Sequence, residues 1–204
     1  MTKPKALDLF CCAGGASMGL HRAGYEVTGV DIEPQPKYPF QFIQGDALQF
    51  DLAGFDFVWA SPPCQRHSRM SSCREGLREK YPDLIAATRE KLTKWGGDWI
   101  IENVIGAPLQ NAVMLCGAMF GLETYRHRIF ESSRVLFVPD HPKHTTPTSK
   151  AGHWKPGTFI SVAGNCAPMQ MARDAMGIDW MPRKNLVEAI PPVFSEHLAK
   201  QFLK

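Results

Sequence analysis

Five short apolar runs, each stopped by an acid or a small polar residue, restrict this chain more than any other feature. "KALDLF" ends at Gly14-Gly15, and "YEVTGVD", "FQFIQGD", "FDFVWAS" and "DWIIENV" repeat the pattern of a strand closed by a turn residue. Between them lie helical segments. "ASMGLHRAG" carries Met18, Leu20 and Ala23 before Gly24, and "PDLIAATREKLTKWGG" sets Leu84, Thr88, Leu92 and Trp95 on one face before a glycine stop. Alternating strands and helices predict an α/β fold with a doubly wound, mostly parallel sheet and helices on both faces. "RHRIFESSRVLFV" reads as extended segments and "TFISVAG" as a further strand. "PDHPKHTTPTSKAGHWKPG" reads as an exposed loop, and "RKNLVEAIPPVFSEHLAKQFLK" as a closing helix interrupted at Pro191-Pro192. The expected organisation is a core over residues 1–131, a loop region over 132–160 and a segment over 161–204 that returns to the core.

Residues at strand ends carry the chemistry in such folds. After "FDFVWA" stands "SPPCQ", where Pro62 and Pro63 remove two backbone donors and fix two φ angles, so the strand must end there. Cys64 then stands on a stiff exit at the sheet's rim. That placement suits a nucleophile, although cysteines are more often small buried hydrophobes and paired prolines are common in loops. Asp31 and Asp46 close later strands, where an acid grips a ribose or meets an adenine, and Asp is equally a common turn residue.

Composition narrows the setting. At 204 residues with 44% hydrophobic content, the chain is expected to be one globular unit, without a membrane span or leader, and cytoplasmic. Six cysteines without a C-x-x-C pair predict reduced thiols and no cysteine zinc site, and His141, His144 and His153 read as loop histidines rather than metal ligands. The net charge of +3 is mild, but Arg66, Arg69, Arg74, Arg78 and Lys80 face only Glu75 and Glu79 in one stretch after Cys64.

The glycine turn, Asp31, Asp46, "SPPCQ", "ENV" (Glu102 to Val104) and "YRHR" (Tyr125 to Arg128) follow one another in an order that resembles the DNA cytosine-5 methyltransferases. The tail "AMGIDWMPRKNLVEAIPPVFSEHL" is similar to the terminal motif of small phage-encoded members. The resemblance implies a Rossmann-like fold that uses S-adenosylmethionine and acts as a monomer on double-stranded DNA with a flipped cytosine. It implies catalytic roles for Cys64 as the nucleophile on cytosine C6, Glu102 at the ring N3, Arg128 at the base's carbonyl oxygen and Arg126 nearby, orienting the site. Nearby arginines are expected to favour the Cys64 thiolate. Phe10, Gly14 and Gly15 would line the cofactor pocket, with Asp31 on the ribose, Ile32 on the adenine face, and Asp46 with Ala47 on its edge. Nucleic-acid contacts fall to Arg66, Arg69, Lys143, Lys150 and Lys155.

Two departures stand out. Cys12 replaces the family's usual glycine, so its Cβ is expected to crowd the cofactor or strain the turn. Thr124 replaces a usual glutamine, and with no large recognition domain, only the loop from Pro139 to Gly157 is left to read bases. Other readings stay open at this point: a transfer-RNA cytosine methyltransferase, which shares the "SPPCQ" style; a non-catalytic nucleic-acid-binding remnant; and a hydrolase, because "GASMG" (Gly15 to Gly19) matches G-x-S-x-G between strand and helix.

Overall fold

The structure, a computed structural model, describes residues 2–67 and 82–203. Strands β1 (Lys5–Leu9), β2 (Glu26–Asp31), β3 (Gln41–Gln44), β4 (Phe57–Ala60) and β5 (Asp98–Asn103) run parallel. β7 (Arg128–Ser132) joins β5 antiparallel, and β6 (Val113–Leu115) pairs antiparallel with β7. The order is β3-β2-β1-β4-β5-β7-β6. From β1 the chain steps outward to β3 and then crosses back to lay β4 on the other side of β1. Strand order therefore reverses between β1 and β4, and a crevice opens beyond their carboxyl ends.

Side-chain alternation divides the core between the two faces. In β4, Phe57 and Trp59 point to the side covered by α1 (Gly15–Ala23) and α5 (Pro192–Ala199), while Val58 and Ala60 point to the side covered by α2 (Ile85–Trp95). Gly19 lets α1 and α5 touch: a Cβ there would lie 2.0 Å from both the Pro192 carbonyl oxygen and Ser195 Oγ. Ser195 instead donates to the Ala16 carbonyl at 2.8 Å. On the other face, Arg89 of α2 makes a two-pronged ion pair with buried Glu131 of β7 at 2.6 and 2.8 Å.

One expectation is met and another needs correction. The closing helical segment is broken before Pro191-Pro192: a short helix ends at Leu186, and α5 starts with Pro192 in its first turn, where a missing N–H is harmless. "TFISVAG" forms no strand beyond a single bridge between Thr148 and Phe159. Its Ile160 and Val162 are buried instead against α3 (Met169–Met176) and α4 (Arg183–Leu186), in a cluster that closes on Ala13 behind the first glycine turn. The loop before it, residues 137–148, is almost wholly exposed and has no helix. Among the described residues, no helix is long and apolar enough to cross a membrane.

Candidate active site

The Cys64 turn is built by its neighbours. Ser61 N–H donates to the Leu9 carbonyl at 3.1 Å, extending the β1–β4 ladder by one bond before the prolines end it. Buried Asn103, at the end of β5, donates from Nδ2 to the Pro62 carbonyl at 3.0 Å, and its Oδ1 accepts the Val104 N–H at 2.9 Å. The asparagine of "ENV" thus fastens the proline turn. Cys64 is half-buried and lines a cleft together with Phe10, Cys12, Gly15, Glu102 and Arg128.

Glu102 and Arg128 come from adjacent antiparallel strands. β5 and β7 set Glu102 opposite Phe130, and Arg128, two residues before Phe130, places its Nε 3.0 Å from Glu102 Oε1. The Ser61 hydroxyl acts on Glu102, and its oxygen accepts the Trp59 Nε1 proton at 3.0 Å. The indole thereby leaves the serine proton free for the carboxylate. Burial pushes the Glu102 carboxyl above its ordinary value, although Arg128, Ser61 and Arg126 pull it down. Burial also raises the Cys64 thiol, and Glu102 adds to that rise. Arg128 and Arg126 oppose it, as expected, but do not prevail: the expectation of a favoured thiolate is not met, because desolvation of the sulfur outweighs both cations.

Arg126, expected nearby as a group that orients the site, is tied to main-chain carbonyls. It does not line the cleft. Its guanidinium donates to the carbonyls of Val162 at 2.8 Å, Val187 at 2.7 Å and Ala189 at 3.0 and 2.6 Å. Burial and neighbouring Arg128 disfavour its charge, and these carbonyls compensate. Arg126 therefore ties residues 162–189 to the strand that bears Arg128. Arg126→Ala is expected to lower stability by about 2–5 kcal/mol, because it strands buried carbonyls; thermal unfolding of the variant beside Arg128→Ala checks this, with the larger loss at Arg126.

The first glycine turn has an unusual backbone. Phe10, Cys12 and Gly14 all adopt positive φ, at 61°, 44° and 82°. Asp31 braces this turn: its Oδ2 accepts the Cys12 N–H at 2.9 Å, and Oδ1 accepts the Glu33 N–H at 3.0 Å. Cys12 thus holds a left-handed conformation that favours glycine, the strain anticipated from sequence. Cys12→Gly should leave thermal stability unchanged or raise it by up to about 1 kcal/mol. It should also tighten cofactor binding or leave it unchanged; calorimetry showing weaker binding would mark the thiol as a contact.

Of the expected cofactor residues, Phe10 and Gly15 line the cleft, whereas Gly14, Asp31, Ile32, Asp46 and Ala47 lie outside its lining. Ile32 is 67% exposed beside Asp31. Ala47 is buried, and Asp46 Oδ1 accepts the Leu48 N–H at 2.9 Å in a tight turn. Arg66 is half-buried just after Cys64; Lys143, Lys150 and Lys155 are exposed on the later loop. Arg69, with the basic stretch through Lys80, lies outside the described residues.

Beyond the motif residues, three polar groups of the lining went unread in the sequence: Asp8, Asn185 and Glu188. Asp8 left a signal, an acid inside the apolar run "KALDLF". It is 1% exposed, burial pushes its carboxyl up to about 7, and its Oδ1 has no partner among the described residues. Its other oxygen accepts the Ser17 hydroxyl, which also meets Tyr38 Oη at 2.6 Å. Ser17 is fully buried in α1, so the "GASMG" serine is not an exposed nucleophile, and its Gly19 serves helix packing.

Comparison with known proteins places this geometry. A structure assigned as a DNA modification methyltransferase encoded within a prophage (E. coli) superposes with a TM-score of 0.68, 13% identity and 97% of each chain covered. The Entamoeba histolytica methyltransferase EhMeth superposes with a TM-score of 0.60 at 10% identity, covering 99% of this chain and 98% of that one. At such identities the likeness concerns the fold. The type II methyltransferase M.XorII of Xanthomonas oryzae pv. oryzae is 30% identical over 131 residues, 52% of this chain and 29% of the relative, so the match spans less than a third of that protein. Residues 4–111, from before β1 to beyond β5, match the C-5 cytosine-specific DNA methylase family, and with more than half of its length inside that match the chain belongs to this family.

Proposed function

We propose that the chain transfers a methyl group from S-adenosylmethionine to C5 of cytosine in DNA through a covalent adduct on Cys64. The supporting observation is one cleft, at the reversal of strand order, that is lined by a thiol, a buried carboxylate and a guanidinium held to that carboxylate. Cytosine C5 is too weak a nucleophile to accept a methyl group unaided. Cys64 Sγ, as thiolate, bonds to C6, and the ring electrons move toward C5 and N3. Glu102 places a proton at N3, which neutralises the charge this attack drives into the ring. Arg128, fixed by Glu102, donates to the base's carbonyl oxygen. After methylation, loss of the C5 proton expels Cys64 and restores the aromatic ring.

The residues present fit S-adenosylmethionine. A cationic ligand complements the unpartnered Asp8 Oδ1 on the cleft wall, and the Phe10 to Gly14 turn allows close backbone approach. Asp31 retains acceptor capacity for ribose hydroxyls, and exposed Ile32 offers an apolar face to the adenine. Bound there, the cofactor supplies an electrophilic methyl group. The Pro139 to Gly157 loop acts as a small recognition region, so only a short sequence context is read. The test is transfer of labelled methyl groups to duplex DNA beside transfer RNA, with cytosine C5 labelling on DNA expected. Labelling confined to transfer RNA would reassign the substrate, and labelling of neither would remove the enzyme reading.

A further inference from the structure

We propose that Cys116, His127, His141 and His144 form a tetrahedral zinc site that pins the loop after β7 to the strand carrying Arg128. Along the chain no cysteine stands at ligand spacing from the loop histidines, but the β6–β7 hairpin supplies one. Its register pairs Leu115 with Arg128, so Cys116 and His127 face each other at the next position along. The chain then leaves β7 and returns over this hairpin, bringing His141 and His144 down on the same point. One ligand atom from each of the four residues lies within 4.8 Å of all the others.

The distances suit a metal. Zinc bonds of about 2.0–2.1 Å to imidazole and 2.3 Å to thiolate in a tetrahedron set ligand atoms about 3.3–3.6 Å apart. His127 Nε2 and His141 Nε2 are 3.2 Å apart, and Cys116 Sγ is 3.3 Å from His144 Nε2. Two separate hydrogen bonds would account for each pair alone; they give no reason for both pairs to converge on one centre. Three nitrogens and one sulfur, with no carboxylate, form a set for zinc rather than for calcium or magnesium.

Orientation is also provided. The His144 ring stacks on Tyr125 with centroids 3.6 Å apart, and Tyr125 Oη donates to the Thr146 carbonyl at 2.6 Å. These contacts aim the imidazole at Cys116, which is buried beneath the three histidines. The loop needs such an anchor, because residues 137–145 are exposed and bury no apolar core of their own. On binding zinc, Cys116 gives up its proton to solvent and ligates as thiolate. None of the four residues lines the cleft, yet His127 stands between Arg126 and Arg128. The metal therefore sets the loop's register against the active-site strand.

The test is metal content. Full-length protein made in zinc-supplemented medium and passed through a desalting column should carry about one zinc per chain. His141→Ala and His144→Ala change exposed residues and should retain the fold by circular dichroism, yet lose zinc at least about tenfold. His153→Ala, outside the cluster, should keep it. Cobalt added to metal-free protein should give the visible bands of a tetrahedral centre, with a thiolate charge-transfer band that Cys116→Ser removes. Wild-type protein that holds neither zinc nor cobalt would overturn the proposal. So would full zinc retention in His141→Ala and His144→Ala, or equal loss in His153→Ala.

Discussion

Cys64→Ala is expected to lower methyl transfer by about four orders of magnitude or more while leaving S-adenosylmethionine binding intact. Without a thiolate at C6, cytosine C5 has no route to enamine character, and a bound, oriented base gains only what positioning provides. The alanine also removes one sulfur from a turn whose shape is held by other groups: the two prolines, the Ser61 to Leu9 bond and the Asn103 to Pro62 bond. Loss of activity with an unchanged unfolding temperature therefore separates chemistry from folding. Because burial raises the Cys64 thiol, alkylation of the DNA-free protein by iodoacetamide should increase about tenfold per pH unit through neutrality.

Glu102→Gln should lower the rate by about 10²–10⁴. The amide keeps the shape and accepts a bond from Arg128, but it cannot give N3 a proton. The pH dependence separates this role from a structural one. Catalysis needs Cys64 deprotonated and Glu102 protonated. Between the Glu102 and Cys64 pKa values, each pH unit gains tenfold in thiolate and loses tenfold in carboxylic acid, so wild-type kcat/KM should be flat there. Burial raises both groups, which moves this plateau upward in pH. In Glu102→Gln only the thiolate titrates, and kcat/KM should climb about tenfold per unit over the same range. A variant profile as flat as the wild type would assign Glu102 to holding Arg128 alone.

What was legible in sequence followed from local physics. The strands now seen as β1, β2, β4 and β5 are apolar runs that read correctly because both faces of the sheet are covered. α2 declared itself through Thr88 and Leu92 on one buried stripe and Gly96 at its end, in a left-handed conformation. β6 was unread because three residues carry no period, and α3 because its burial depends on Ile160 and Val162 arriving from another segment. The part played by Arg126 was invisible for a chemical reason. Its partners are main-chain carbonyls of Val162, Val187 and Ala189, and every residue has a carbonyl. The Cys116 cluster escaped because the antiparallel register of β6 and β7, rather than spacing along the chain, brings its members together.

Mechanism-based trapping tests the central claim most directly. Duplex DNA containing 5-fluorocytosine, incubated with the protein and S-adenosylmethionine, should form a complex that survives denaturation, because fluorine at C5 cannot leave as a proton does and the sulfur bond to C6 persists. Peptide mapping should place the modified base on Cys64, and Cys64→Ala should give no complex. An adduct on any other cysteine, or turnover of unmodified DNA with no trapping of the fluorinated duplex, would contradict the account.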